Sequence, residues 1–437
     1  MDRKSLAISL LKRNIGTHFG RGSFARNVAV LAGGTALGQA ISVLASPILT
    51  RLYTPDDFGV LAVYSSILGI LSVVASWRYE LAIPLPDKDE DAVSLVALSL
   101  GIVLLMSFLV GLGIWLLGNQ IVQWVNTPAL RPYIWFLPVG VLLVGWYQVF
   151  NYWAVRNKDF VVIAKTKLNQ GIGSASTQVV AGFLKFGPVG LLIGQVLGQS
   201  AGVLGLALQF WKNQRTTGFN IVNIGFIAQR YKRFPLLSVW PAFVNSIGLQ
   251  LPILALSGIY GSQVTGWFAL TNKVFGVPLS LISASTASVL LGQAAEDCRL
   301  GNNHMNMLFW KVIRQQSLIV LPILLFVPLY PIVFPLIFGQ DWKQSGIYAS
   351  VWIFAMVANF ITSPIGGILD VLERQDLFII RELCRLVMVG STIAVSVRFS
   401  LSPFEMLSIL AGFMVLFAFI YAGLSLYAIK KAGDDHQ

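Results

Sequence analysis

One lysine sits where an apolar helix is expected to carry no charge. In the stretch Ile259–Val277 (IYGSQVTGWFALTNKVFGV), Lys273 falls about nine residues into an apolar span, roughly 14 Å at 1.5 Å per residue and near the middle of a bilayer. A charge at that depth costs several kcal/mol, so it is expected to face water or protein and to have a partner. Two readings stand: a cation held for an anionic ligand, or a structural lysine that snorkels or bonds to carbonyls of a neighbouring helix. Asn272, Asn245 and Gln250 are the side chains placed to help satisfy it.

A second pair of charges, Arg78 and Glu80 in SWRYELAIPLPDKDED, closes another apolar run. Opposite charges there either anchor a helix end or make a cationic entry site for an anionic head group, with Glu80 holding Arg78 or the first connector in register. The acidic run Asp87, Asp89, Glu90 and Asp91 reads as a solvated loop. Uncharged amides are scattered through the apolar runs: Gln39, Gln148, Asn151, Asn169, Gln170, Gln178, Gln195, Gln199 and Asn359. Amides both donate and accept, so a set of this size suits a polar cavity for hydroxyl groups better than interhelical contacts alone. Gln148 and Asn151 are expected on that cavity with Glu80, Asn272, Asn245 and Gln250. Glu80, Asp370, Glu382 and Glu405 all fall near span ends, so a carboxylate-based ion site is not visible.

What positions these residues is a membrane. Of 437 residues, 56% are hydrophobic and 11% charged, with a mean hydropathy of +0.73, which no soluble domain of this size tolerates on its surface. Twelve spans are predicted, at 28–49, 58–82, 93–117, 133–155, 163–184, 188–211, 234–258, 264–291, 308–338, 346–370, 377–397 and 403–429. Pro322, Pro328, Pro331 and Pro335 predict a broken ninth helix, and Pro235, Pro241 and Pro252 a bent seventh. Residues 1–27 form a basic segment with a short apolar patch, Leu6–Leu11, that reads as a surface-lying turn or two and not as a signal peptide.

The net charge of +12 is a topology signal, not one for nucleic acid. On the twelve-span layout 25 Lys and Arg fall on the side of the N-terminus and 5 on the other, and Lys273 completes the 31. Both termini are therefore predicted cytoplasmic.

The lysine stretch also has an earlier copy, LYTPDDFGVLAVYSSILGI at Leu52–Ile70. Tyr260 falls on Tyr53, Gly266 on Gly59, Ala269 on Ala62 and Gly276 on Gly69, all at an offset of 207 residues. Lys273 falls on Ser66. NKDF at Asn157–Phe160 and RQDL at Arg374–Leu377, each after a half's fourth span, form a weaker echo. The chain thus reads as two parallel repeats of six helices, a bundle at 28–211 and another at 234–430, joined by the basic cytoplasmic connector 212–233 and followed by a cytoplasmic tail, 431–437.

Soluble-enzyme signatures are missing: the sequence has no GxxxxGK[ST], no HExxH and no metal-spaced cluster of its two Cys and three His. No loop is large enough for an active site, so neither an enzyme nor a cofactor or metal site is expected, and ATP-driven transport by this chain alone is disfavoured.

The run L-x-P-x-x-F-G at Leu52–Gly59, after a Gly-rich first span and before the run Arg-x-Glu-x-Ala-Ile at Arg78–Ile83, resembles the polysaccharide-exporter and O-antigen flippase family. That family belongs to the multidrug/oligosaccharidyl-lipid/polysaccharide (MOP) superfamily. The resemblance covers the whole chain and implies an all-α, V-shaped, two-bundle transporter of the bacterial inner membrane. It implies movement of an undecaprenyl-pyrophosphate-linked oligosaccharide to the periplasmic leaflet by alternating access. Its implied partners are the lipid-linked substrate, the bilayer and other polysaccharide-assembly membrane proteins. On this reading Lys273 and Arg78 meet the pyrophosphate, the amides meet the sugars, and the gap between halves admits the isoprenoid tail. A drug or small-solute antiporter of the same superfamily is the alternative; it would be expected to show acidic coupling residues inside a lobe.

Overall fold

The computed structural model describes residues 21–217, 224–300, 305–366 and 375–434. The Leu6–Leu11 patch, Arg374 and part of the connector lie outside them. The described residues form twelve helical rods and no strand. They are α1 (Arg21–Leu44, continued by Ser46–Leu52), α2 (Pro55–Val74), α3 (Asp89–Trp124), α4 (Phe136–Arg156), α5 (Phe160–Phe183) and α6 (Pro188–Ser200 with Val203–Thr217). The second six are α7 (Phe234–Ser238 with Val239–Tyr260), α8 (Ser262–Thr271, Asn272–Gly276 and Val277–Leu300) and α9 (Met305–Leu325 with Tyr330–Phe338), then α10 (Lys343–Thr362), α11 (Gln375–Arg398) and α12 (Pro403–Asp434). The protein is an all-α, multi-pass membrane protein of two six-helix halves.

Local chemistry sets the helix ends. Thr54 and Asp57 form a reciprocal capping box in front of α2, with Pro55 at the first helical position. Ser402 and Glu405 do the same for α12. The ninth rod is broken between Leu325 and Tyr330, where the predicted prolines cluster. The second is shorter than expected: α2 ends at Val74, not at residue 82, because Trp77 (φ 50°) and Arg78 (φ 64°) turn left-handed and a single 3₁₀ turn, Tyr79–Ala82, follows.

Two π-helical turns interrupt the second half, at Phe234–Ser238 and Asn272–Gly276. Each lies one turn before a proline, Pro241 and Pro278. Proline has no N–H to donate and crowds the carbonyl four residues back, here Leu237 and Val274, and a wider turn relieves both.

The rods carry lipid-facing surface. Leu104, Phe108 and Trp115 on α3 are 50%, 69% and 69% exposed, a face suited to hydrocarbon rather than water. Exposed tryptophans gather at both ends of the bundle, Trp115, Trp124 and Trp135 at one and Trp211, Trp240 and Trp310 at the other, as interfacial belts do.

The two halves meet most closely at one end, the face made by the loops after α1, α3, α5, α7, α9 and α11, and α2 and α7 stay in contact inward to Gly69, whose carbonyl accepts from Ser246 at 3.2 Å. A methyl built on Gly59 would fall 1.8 Å from the Ser262 carbonyl oxygen, and one built on Gly266 would fall 1.7 Å from that of Pro55. Ser262 is Pro55 advanced by the repeat offset of 207, as Gly266 is Gly59, so α2 and α8 cross on a pseudo-two-fold axis at which only glycine fits. Around the crossing the Trp342 indole N–H donates to the Thr50 carbonyl at 3.0 Å, and the Trp342 and Phe58 rings meet edge-on at 4.8 Å. Ser257 Oγ lies 2.7 Å from Thr127 Oγ1, and Ser262 donates to Asp56. A shared core, with Leu49, Tyr53 and Phe58 from one half and Leu270, Phe334 and Ile353 from the other, seals this face.

Candidate functional site

Lys273 lies inside the π turn of α8, and its side chain is half-buried. Its neighbours fix which way it faces. Phe275 packs on Tyr330 of α9 at 4.9 Å, and Asn272 Oδ1 accepts the Trp352 indole N–H of α10 at 3.1 Å. Those contacts occupy the side of α8 turned into its own half. Lys273 shares a face with Val277, four residues on, away from Phe275. Among the described residues it makes no hydrogen bond and no ion pair.

Val277 lines a cavity of about 210 Å³ that is otherwise walled by α1, α5 and α6. Thr35, Gln39 and Ser42 come from α1, Lys167, Gln170 and Ser174 from α5, and Gln195 and Gln199 from α6. Glycines bring these rods close: a methyl on Gly38 of α1 would lie 2.4 Å from the Lys167 carbonyl oxygen, and one on Gly198 of α6 would lie 2.4 Å from the Ser174 Cβ. Among the described residues no carboxylate and no aromatic ring stands on the lining.

Four of the nine scattered amides, Gln39, Gln170, Gln195 and Gln199, therefore converge on this cavity. Gln178 does not; it is buried and ties α5 to α6 through a hydrogen bond to the Leu191 carbonyl at 3.2 Å. None of Glu80, Asn272, Asn245, Gln250, Gln148 and Asn151 lines it either. Asn272 is spent on Trp352. Asn245 accepts from Arg385 of α11 at 2.8 Å, and Gln250 lies against Gly69, where α7 packs on α2. Gln148 is half-buried on α4. Asn151, on the same helix, accepts from Tyr147 at 3.4 Å, and Tyr147 offers its ring to the Lys167 ammonium at 4.7 Å. Asn151 thus reaches the cavity only through its neighbours.

Arg78 is not beside Lys273. It caps the turn after α2, 3.8 Å from Glu80, which is 2% exposed and also accepts from Ser76. Next to it the Tyr79 hydroxyl donates to the Ala228 carbonyl at 3.1 Å, tying the turn to the short connector helix Ile224–Arg230. These contacts give Arg78 a holding role: Arg78→Ala leaves the Glu80 carboxylate buried without its cation and should lower stability by about 1–3 kcal/mol. Thermal unfolding of the purified protein should show partial recovery in Arg78→Ala/Glu80→Gln; equal midpoints for wild type and Arg78→Ala would refute it.

Sequence reasoning passed over Lys167 and Arg385. Lys167 lies four residues inside its predicted span and Arg385 eight inside its own, yet both were counted as topology charges. A signal was present: Lys167 lies within a turn of Gln170 and Gly171, so it shares their wall of α5.

The sequence profile of the polysaccharide biosynthesis protein family matches residues 48–347, more than half of the chain. The chain belongs to that family. No curated protein sequence matches it. Among solved structures, this polysaccharide biosynthesis family member is similar to the lipid II flippase MurJ in an inward closed conformation. There the TM-score is 0.72 and the identity 12%, over 91% of this chain and 87% of that one. It is also similar to an inward-facing MATE multidrug-resistance transporter of the MOP superfamily, with a TM-score of 0.68 and 16% identity over 91% and 96% of the two chains. A MOP superfamily transporter from Pyrococcus furiosus aligns with a TM-score of 0.63 and 15% identity over 92% and 95%. At these identities the likeness is one of fold.

Proposed function

We propose that this protein is a flippase that carries an undecaprenyl-pyrophosphate-linked oligosaccharide, an O-antigen or other surface-polysaccharide repeat unit, across the bacterial inner membrane. The observation that carries the reading is Lys273: a cation with no partner among the described residues, deep in the membrane, on the side of α8 that leads to a polar cavity, in a chain of the polysaccharide biosynthesis family. A pyrophosphate is the anion that repays such a position, and the cavity's amides suit sugar hydroxyls. With no carboxylate among the described residues of the cavity lining, the drug or solute antiporter reading has less to support it.

The 25 to 5 division of Lys and Arg orients the chain with both termini, and the connector 212–233, in the cytoplasm. The sealed face is then periplasmic, and the conformation is closed to the outside. Export proceeds by parting the α2–α8 crossing while the cytoplasmic ends of the bundles 28–211 and 234–430 approach. Nucleotide has no place in that cycle, so energy comes from an ion gradient or from consumption of the exported glycan. Reconstituted alone in sealed vesicles without ATP, the protein should move a fluorescent undecaprenyl-pyrophosphoryl oligosaccharide between leaflets. A strict requirement for nucleotide would sink the proposal. In right-side-out vesicles a cysteine in the connector should be shielded from an impermeant maleimide, and labelling there would reverse the orientation.

A further inference from the structure

Resting on the flippase reading, we propose that the cavity between α1, α5 and α6 is a saccharide subsite. It takes one sugar ring of the lipid-linked glycan, with Lys167 meeting an anionic group beside that ring.

Several polar groups on its wall are left without a partner among the described residues. Gln170 spends its Nε2 on the Gln199 backbone carbonyl at 3.0 Å, which leaves its Oε1 to accept. The Gln199 side-chain Oε1 is buried and has no donor among the described residues. A buried acceptor left without a donor costs about 1–3 kcal/mol, and a hydroxyl-bearing ligand removes that cost. Gln39 and Gln195 make no hydrogen bond among the described residues. Ligand pockets for drug-like molecules are lined mainly by apolar and aromatic groups, whereas this wall carries four amides, three hydroxyls and a lysine beside its glycines and Val277, with no aromatic ring among the described residues.

Lys167 supplies the charge. Its ammonium rests on the Tyr147 ring at 4.7 Å, which occupies one side of a group with three donors. Among the described residues no carboxylate on the wall neutralises it. Val277 joins this cavity to Lys273, and four residues of helix rise about 6 Å, so an anion held at Lys273 directs an attached sugar ring into the cavity. A volume of about 210 Å³ admits one ring, not a whole repeat unit. The anionic group at Lys167 is therefore either the far phosphate of the pyrophosphate or a carboxylate on the sugar.

The test uses the full chain in lipid nanodiscs and three probes: undecaprenyl pyrophosphate, the same lipid bearing a neutral disaccharide, and the same lipid bearing a disaccharide with a hexuronic acid. Gln39→Leu/Gln195→Leu should bind both glycan-bearing lipids at least tenfold more weakly and the bare lipid as wild type does. Gln39→Ala, at an exposed position, is the milder variant and should weaken glycan binding at least threefold. Unchanged glycan affinity in these variants, or an equal loss for the bare lipid, overturns the subsite. Lys167→Gln should weaken all three lipids if its anion is the pyrophosphate, or the uronate-bearing lipid alone if it is the sugar carboxylate, and Lys167→Arg should retain most binding. Wild-type affinity of Lys167→Gln for all three overturns its part. A wild-type protein that binds none of the lipids removes the flippase reading itself, whereas wild-type binding that no variant alters removes only the subsite.

Discussion

Lys273→Ala should abolish glycan export while the amount of inserted, folded protein stays at the wild-type level. Two unit charges about 4 Å apart attract by roughly 4 kcal/mol at an effective dielectric near 20, which is about a thousandfold in affinity. That attraction offsets much of the cost of keeping an ammonium at this depth, and both disappear together in the alanine variant. Stability should therefore hold or rise, because among the described residues nothing pairs with Lys273 and is left stranded by its removal. Lys273→Arg should keep partial function, since the charge survives while the ammonium's compact shape does not. Surface polysaccharide measured beside membrane-inserted protein separates this from a structural lysine, whose loss would lower the folded protein instead. Export at the wild-type rate by Lys273→Ala would remove the pyrophosphate from this position.

How much was legible beforehand depended on how local each cause is. The broken ninth rod follows from prolines in the sequence, and the repeat follows from residues at a constant offset. The π turn holding Lys273 has an equally local cause in Pro278, but hydropathy does not register it, because a wide turn and an α-turn bury the same apolar residues. The early end of α2 escaped for a related reason: Leu81, Ala82 and Ile83 continue the apolar run after the backbone has left the helix at Trp77. The cavity was legible only as a set. Gln170 and Gln178 lie on one helix and look alike in sequence, yet one reaches the cavity and the other is consumed by the Leu191 carbonyl. Which amide goes where is decided by how closely α1, α5 and α6 approach, and that depends on partners far away in the chain. Asn245 and Asn272 were claimed in the same way by Arg385 and Trp352, neither of which is near them in sequence.

Joining α2 to α8 at their crossing should stop transport completely and reversibly. Asp56 and Ser262 already touch across the pseudo-two-fold axis, beside the backbones brought together at Gly59 and Gly266. Asp56→Cys/Ser262→Cys should therefore oxidise to a disulfide within the chain, holding the sealed face shut. If alternating access opens this face, the oxidised protein exports nothing and added reductant restores export to the level of the reduced control. The glycines give an independent route to the same crossing. Any side chain at Gly59 meets the Ser262 backbone, which cannot rotate away, so Gly59→Ala forces the helices apart, at a cost of about 1–3 kcal/mol for an overpacked contact. Gly266→Ala acts on the other arm of the same crossing, so the double variant should cost less than the sum of the two. Both single variants should shift the equilibrium away from the outwardly sealed state and slow disulfide formation between the paired cysteines. A disulfide that forms in full and leaves export untouched would show that the crossing stays closed throughout the cycle, and the opening would then have to be sought elsewhere between the halves.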